Sequence, residues 1–405
     1  MRASGNKNWG SACVLILLLG VSGLWVGGCG LGNNNATGIG CGLAGSATPG
    51  PTPVAAGSEF VFAPNALCSA GVANDVMSVL TLAPDGTFNN GPVPLVETGN
   101  EPVWAVVDPS NHFVYVTNLL DNTVSGFTLN TTTGAVAATP GSPYIAGIAP
   151  AAAAVDPSAT FLYVANEGSS TISGSISGYK INSDGSLTAV PGSPFTPATG
   201  LSPQQGIAVT AGFVYVSNIV SNNVSAFSFD PGTGALTQLP TSPFTLAPAL
   251  NPQPESLAMD PLSRFLFTAN MTANNVSAFT VNGDGSLTQA TGSPFGTGFS
   301  SPQYLATDQT GKFLYVVNVS NNSVTAYSIA ANGALTEIGA ALSTGNFPEG
   351  VAVDPANKVV MVANCEDGDL SVYDINGDGT LTSLGPLTSN AITACPQMVA
   401  TSHLP

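Results

Sequence analysis

Phe113-Val114-Tyr115-Val116-Thr117-Asn118 alternates side chains over six positions and ends on asparagine, and variants of it recur along the chain. The related stretches FVFAP, FLYVA, FVYVS, FLFTA, FLYVV and VVMVA lead to Asn65, Asn166, Asn218, Asn270, Asn318 and Asn364, so that successive marks lie between 46 and 53 residues apart. Period-2 alternation sends neighbouring side chains to opposite faces of a β-strand. A unit repeated at this period marks an array in which each copy leans on the next. By length alone, 405 residues would suggest two or three separate domains.

Each mark is followed by a polar turn and a second alternation, as in TVSGFTL from Thr123, NVSAFSF from Asn223, NVSAFTV from Asn275 and SVTAYSI from Ser323. Glycine turns follow at Asp85-Gly86, Gly134, Asp184-Gly185, Gly234, Asp284-Gly285, Gly333 and Asp378-Gly379, where positive φ costs glycine little. A third, short strand comes next. A fourth type precedes the aromatic one, as in WAVVDP from Trp104 and GVAVD from Gly350, and its seventh copy is QMVATS at Gln397 to Ser402. The array therefore starts on one strand type at Phe60 and finishes on another at Gln397. The last strand must complete the first sheet, which removes the free edges. These features predict an all-β, seven-bladed β-propeller with four-stranded blades over 58–405, closed by the C-terminal strand joining the first blade.

Ahead of it, Arg2 and Lys7, an apolar run from Val14 and the small residues Gly27 and Gly28 read as a signal peptide over 1–28. Val26-Gly27-Gly28-Cys29 resembles the bacterial lipobox, which implies lipidation at Cys29, export, and anchoring to the outer membrane facing the periplasm or cell surface. Residues 29–57 are a Gly/Asn/Pro tether with no hydrophobic period. Cys41, Cys68, Cys365 and Cys395 remain, an even number that favours disulfides in an exported protein. Cys395 is placed to clamp the closure, with Cys68 or Cys365 as its partner. Beyond the signal only Lys180, Arg264, Lys312 and Lys358 stand against 23 acids, which excludes nucleic acid as a partner.

The YVTN string at Tyr115 to Asn118, with its close variants ending at Asn166 and Asn218, resembles the YVTN-repeat proteins, and the wider rhythm is similar to the seven-bladed lactonase-like propellers. That resemblance implies the 6-phosphogluconolactonase-type fold, with an active site in which His, Arg and acids surround the central channel and a His follows proline at the start of an inner strand. Here the post-proline positions are Val103, Ala151, Gln204, Glu255, Gln303, Glu349 and Gln397, without a histidine. His112 falls in the turn before Phe113, at the other strand end, and His403 is near the C-terminus.

Gln204, Glu255, Gln303, Glu349 and Gln397 thus form the candidate ligand-binding ring. Glu255 and Glu349 become an acid and base pair only if they face each other. The seven asparagines are expected to bond their own turns. Asp374-x-Asn376-x-Asp378-Gly379 opens like a calcium loop but has Gly385 where a bidentate Glu belongs, so a plain turn is expected, with no metal site and no cofactor. The residues alone favour a monomeric binding or interaction module for an unknown small molecule, glycan or protein, touching the membrane by its lipid only. The alternative is a lactonase-like hydrolase acting on a small lactone or sugar derivative.

Overall fold

The computed structural model describes residues 54–66, 75–88, 95–196, 204–246, 251–296, 301–387 and 395–402. The signal, most of the tether, Cys29, Cys41, Cys68 and His403 lie outside the described residues. Seven antiparallel sheets surround the axis, six built on four successive strands and the first on three N-terminal strands completed by the C-terminal ones. In the second blade the four are Pro102–Val107, Phe113–Asn118, Thr123–Leu129 and Val136–Ala138, from the axis outward. The innermost strands neighbour one another around the axis, and Ala400–Thr401 fits between Pro348–Val353 and Pro102–Val107.

The core is divided among the seven joints between blades. Val114 and Val116 pack on Phe60 and Phe62 of the first blade. Tyr115, on the opposite face of the same strand, packs with Leu162 and Val164 of the third. The alternation thus reflects a strand sandwiched on both faces, and each of its two side-chain sets fills a different joint. Two devices recur at these joints. The hydroxyls of Tyr115, Tyr163, Tyr215 and Tyr315 donate to the carbonyls of Gly185, Gly234, Gly285 and Gly379 in the next blade's turn, at 2.8 to 3.2 Å. Those glycines hold φ between +75° and +84°, and a Cβ on any of them would reach within 2.5 Å of Phe113, Phe161, Phe213 or Phe313. Only glycine meets both conditions.

Closure follows the expected register. Asn65 pairs with Pro396 and Ala66 with Cys395, then Val61 with Thr401 and Phe62 with Ala400. Phe60 N–H donates to Ser402 Oγ at 2.8 Å. Ser402 stands where five other blades use an aspartate: Asp108, Asp156, Asp260, Asp308 and Asp354 each accept two successive backbone N–H groups at the start of the aromatic strand. Cys365 and Cys395 form a disulfide that ties the seventh blade to the closing strand. The Asp374 to Gly379 segment is a tight turn, with Gly379 N–H on the Asn376 carbonyl.

The seven asparagines depart from expectation. Their amides reach across to the neighbouring strand: Asn65, Asn118, Asn166, Asn218, Asn270, Asn318 and Asn364 donate to the hydroxyls of Ser78, Ser125, Ser177, Ser225, Ser277, Thr325 and Ser371 at 2.8 to 3.1 Å. A strand-end amide facing a hydroxyl across the ladder makes a buried cross-strand bond, and the amides of Asn118, Asn218, Asn270 and Asn364 also reach the first residue after their own turn.

Candidate functional site

The mouth of the propeller lies where the innermost strands begin. There the ladder is interrupted, with register shifts between Pro102 and Trp104, Pro254 and Leu257, Pro302 and Tyr304, and Pro348 and Gly350. A bulge leaves one residue unpaired and re-aims its side chain. In these blades the bulge holds the post-proline residues Val103, Glu255, Gln303 and Glu349. The fourth blade is one residue longer here. Gln204 pairs with Asn218, and Gln205 takes the bulged place. The ring position read from sequence as Gln204 therefore belongs to Gln205.

Outside the fourth blade, the bulge is held from the preceding blade. Asn122, Asn222, Asn274 and Asn322 sit in hairpins at φ between +49° and +57°. Their side-chain oxygens accept the backbone N–H of Ala149, Gln253, Ser301 and Phe347, each directly before an inner-strand proline. Those four are left-handed as well, at φ +50° to +57°. Non-glycine residues adopt this region at a cost of about 1–3 kcal/mol, sustained only where surrounding contacts fix it. At the second blade Asp75 replaces asparagine and accepts Glu101 N–H at 2.5 Å.

Post-proline residues meet the residue that follows the repeated asparagine one blade earlier. Gln205 Nε2 donates to Glu167 Oε1 at 3.2 Å, and Gln303 Nε2 lies 3.4 Å from Met271 Sδ. Gln397 Nε2 is 2.8 Å from Cys395 Sγ, which is 3.9 Å from Glu349 Oε2. The mouth thus gathers Glu167, Glu255 and Glu349 about Tyr304, with Glu101 acting on Glu167 and Glu349. Burial pushes Glu255 up to about 8, and the Glu167 charge adds to the shift. Burial also lifts Glu349 to about 8, helped by Glu101. Glu167 reaches about 7, where burial outweighs the lowering bond from Gln205 and Glu101 adds repulsion. Glu101 reaches about 7 through burial and then Asp75. Tyr304 feels Glu349, Glu255 and Glu167, and with burial the dominant cause its phenol stays protonated.

The charge that adds to the Glu255 shift is that of Glu167, and the one that adds to the Glu349 shift is that of Glu101. Sequence reasoning missed two of the four acids. Glu101 stands before its proline, outside the post-proline register. Glu167 follows Asn166 in a column that otherwise reads Ala66, Leu119, Ile219, Met271, Val319 and Cys365. A lone acid in that column was the available signal. None of the four cations beyond residue 30 is at the mouth. Arg264 pairs with Asp260 at 2.7 Å on the opposite face, where Lys312 and Lys358 occupy the same turn position, and Lys180 is exposed on the third blade's third strand. His112 is on that far face too, with Nδ1 2.8 Å from Ser110 Oγ.

These shifts set the pH dependence of stability. The folded mouth keeps protons that the unfolded chain releases above about pH 4.5, so stability is full below that pH and is lost as pH rises through about 8. Self-repulsion in a chain of net charge −17 acts in the same direction. The thermal midpoint should be several degrees higher at pH 5 than at pH 8. A midpoint that rises with pH over this interval would contradict the buried-acid assignment.

A sequence-family model described as "Lactonase, 7-bladed beta-propeller" matches residues 70–298 and 288–397. No curated protein matches the chain. Among solved structures, a periplasmic gluconolactonase of Pseudomonas aeruginosa is similar at 18% identity and TM-score 0.71, covering 86% of this chain and 100% of its own. A Bacteroides fragilis protein with a provisional 6-phosphogluconolactonase assignment is similar at 18% identity and TM-score 0.69, covering 85% and 98%. A Lactobacillus plantarum protein has 20% identity and TM-score 0.65, covering 85% and 99%. At these identities the likeness is one of fold.

Proposed function

Because the chain belongs to the family of seven-bladed lactonase propellers, we propose that it is a hydrolase that opens a small lactone carrying no phosphate. The observation that carries this reading is the Glu167–Glu255 couple beside Tyr304 in a concave mouth without a cation. Two acids held at different protonation midpoints are the requirement for paired acid and base work near neutral pH. Glu255, the more deeply buried and so the better held in its protonated form, is the proton donor, and Glu167, whose carboxylate accepts from Gln205, is the base. A water oxygen bonds to the lactone carbonyl carbon while Glu167 takes its proton. The ring C–O bond breaks, and the ring oxygen takes the Glu255 proton. The Tyr304 phenol donates to the carbonyl oxygen as charge gathers there. The product is a hydroxy acid, and the proton returns from Glu167 to Glu255.

A phosphorylated lactone suits this mouth poorly. Phosphate recognition relies on Arg or Lys donors, and acids occupy their place. A carboxylate product would in turn be repelled by the remaining acids, which favours its release. The His and Arg set implied by the family resemblance is not at the mouth among the described residues, so the chemistry falls to carboxyls. The family match favours hydrolysis over the non-catalytic binding module. A panel of neutral, phosphorylated and amino-substituted lactones offered to the purified protein tests the reading. Hydrolysis of the phosphorylated members alone, or of none, would overturn it.

Export and lipid anchoring at Cys29 are part of the same proposal. The described chain starts with Val54 N–H on the Thr132 carbonyl, in the turn on the face opposite the mouth. A tether running from there to a membrane leaves the mouth turned outward. Cys29→Ser should move the protein to the soluble fraction, and retention in membranes would refute the anchor.

A further inference from the structure

We propose that reduction of the Cys365–Cys395 disulfide opens a zinc site at the closing seam, with the two cysteine thiolates and the Glu349 carboxylate as its protein ligands. The inference goes beyond the hydrolase reading and takes nothing from it. Three elements meet at the seam. Cys365 directly follows the Val359–Asn364 strand, with its N–H on the Phe347 carbonyl at 2.9 Å, Glu349 stands in the bulge of Pro348–Val353, and Cys395 begins the closing strand. A Cβ on Gly350 would come within 2.6 Å of Met398 Cα, so the closing strand lies directly against the one that carries Glu349. Glu349 Oε2 is 3.9 Å from Cys395 Sγ. The three ligand atoms all lie within 4.8 Å of one another, the one such group of His, Cys, Asp or Glu among the described residues.

The donors and their spacing choose the metal. Zinc bonds thiolate sulfur at about 2.3 Å and carboxylate oxygen at about 2.0–2.2 Å, so the ligand atoms of a tetrahedral site stand about 3.6–3.8 Å apart. The Glu349 to Cys395 separation is already close to that. The sulfurs reach it by rotation about χ1 once their bond is broken, because the two Cα atoms are 3.8 Å apart and the backbone stays in place. Two thiolates disfavour calcium and magnesium, which take oxygen ligands, while copper(I) favours sulfur alone. The mixed set suits zinc. Gln397 Nε2, 2.8 Å from Cys395 Sγ, donates to the sulfur and orients it, as the outer partner of a metal ligand does. A thiolate gains more from that donor than a neutral disulfide sulfur. Cys365 is buried while Glu349 and Cys395 are half-buried, which leaves the fourth position of the metal to water on the side of the mouth.

The chemistry balances with a dithiol as reductant. A thiolate of the dithiol bonds to Cys395 Sγ, the half-buried sulfur, and Cys365 leaves as a thiolate. The second sulfur of the dithiol then displaces Cys395 and closes the reductant's own disulfide. Two electrons and two protons have passed to the cysteines, and zinc binding releases those two protons. The seam stays clamped in either redox state, by a covalent bond or by the metal.

The test reduces the full-length protein with dithiothreitol, removes the reductant under argon, and titrates zinc chloride against a chromophoric chelator. Reduced wild type should take up one more zinc per chain than the variant carrying both Cys365→Ser and Cys395→Ser, a difference that cancels thiols elsewhere in the chain. Cobalt(II) in its place should give a thiolate-to-metal charge-transfer band and tetrahedral d–d bands that the double variant lacks. Oxidised wild type should match the double variant. Glu349→Gln should weaken zinc at least about tenfold, and Gln397→Leu about tenfold, the range for loss of a ligand's outer partner. Zinc should also raise the melting midpoint of reduced wild type and leave that of the oxidised protein unchanged, a readout that needs no variant to fold. No additional zinc in the reduced protein, equal affinity in Glu349→Gln, or a disulfide that the dithiol leaves intact in the folded chain would overturn the proposal. Lactone turnover is not read, so the zinc site and the hydrolase reading stand or fall separately.

Discussion

Glu255→Gln should lower lactone turnover by about two to four orders of magnitude, the range for loss of a positioned proton donor. Glutamine keeps the volume and the polar contacts but has no proton to give to the ring oxygen. Glu167→Gln removes the base and should cost a similar factor. The double variant should lose little more than the worse single one, because the couple acts as one unit. The pH profile of wild-type turnover should be bell-shaped, with limbs near 7 and 8 that belong to the pair jointly. A folding control is built in: replacing a buried acid lifted to about 8 should raise the melting midpoint at pH 8 and leave it nearly unchanged at pH 4.5. Turnover at wild-type rates in both variants would remove the couple from the chemistry.

Deleting residues 395–405 should abolish the cooperative fold. Those residues supply the inner partner of the first blade's Glu59–Ala66 strand, the Ser402 acceptor for Phe60 N–H, and Cys395. Without them Val61 and Phe62, fully buried here, lose cover, and a sheet edge opens along the axis. A milder form of the experiment isolates the disulfide. Its residues are 30 apart in sequence, and a loop of that size contributes about 3–4 kcal/mol by restricting the unfolded chain. Cys365→Ser with Cys395→Ser should therefore melt several degrees lower under non-reducing conditions and still fold. A deletion variant that melts like the intact protein would show that closure does not depend on this strand.

The architecture was readable because its determinants recur. Alternation, glycine turns and the mismatch between first and last strand types are each fixed by backbone geometry, and geometry repeats with the blade. The mouth was read less completely. Glu255, Gln303 and Glu349 follow a proline and were found by register, but one inserted residue moved the fourth blade's place from Gln204 to Gln205. Glu101 and Glu167 lie outside that register, and their importance comes from burial and mutual charge, which only the three-dimensional arrangement supplies. The disulfide is a similar case: Cys365 and Cys68 stood as equal candidates for Cys395 until the seventh blade and the closing strand were brought side by side.

The left-handed asparagines suggest how such a mouth can change over time. Asn122, Asn222, Asn274 and Asn322 hold the next blade's bulge by its backbone, so the bulged side chain bears no structural load. A substitution at Ala151 or Gln303 alters what the mouth offers without disturbing a joint between blades. Ligand preference can then drift one blade at a time, at nearly constant stability. The same hairpins make the four positions they support natural sites for a combinatorial library.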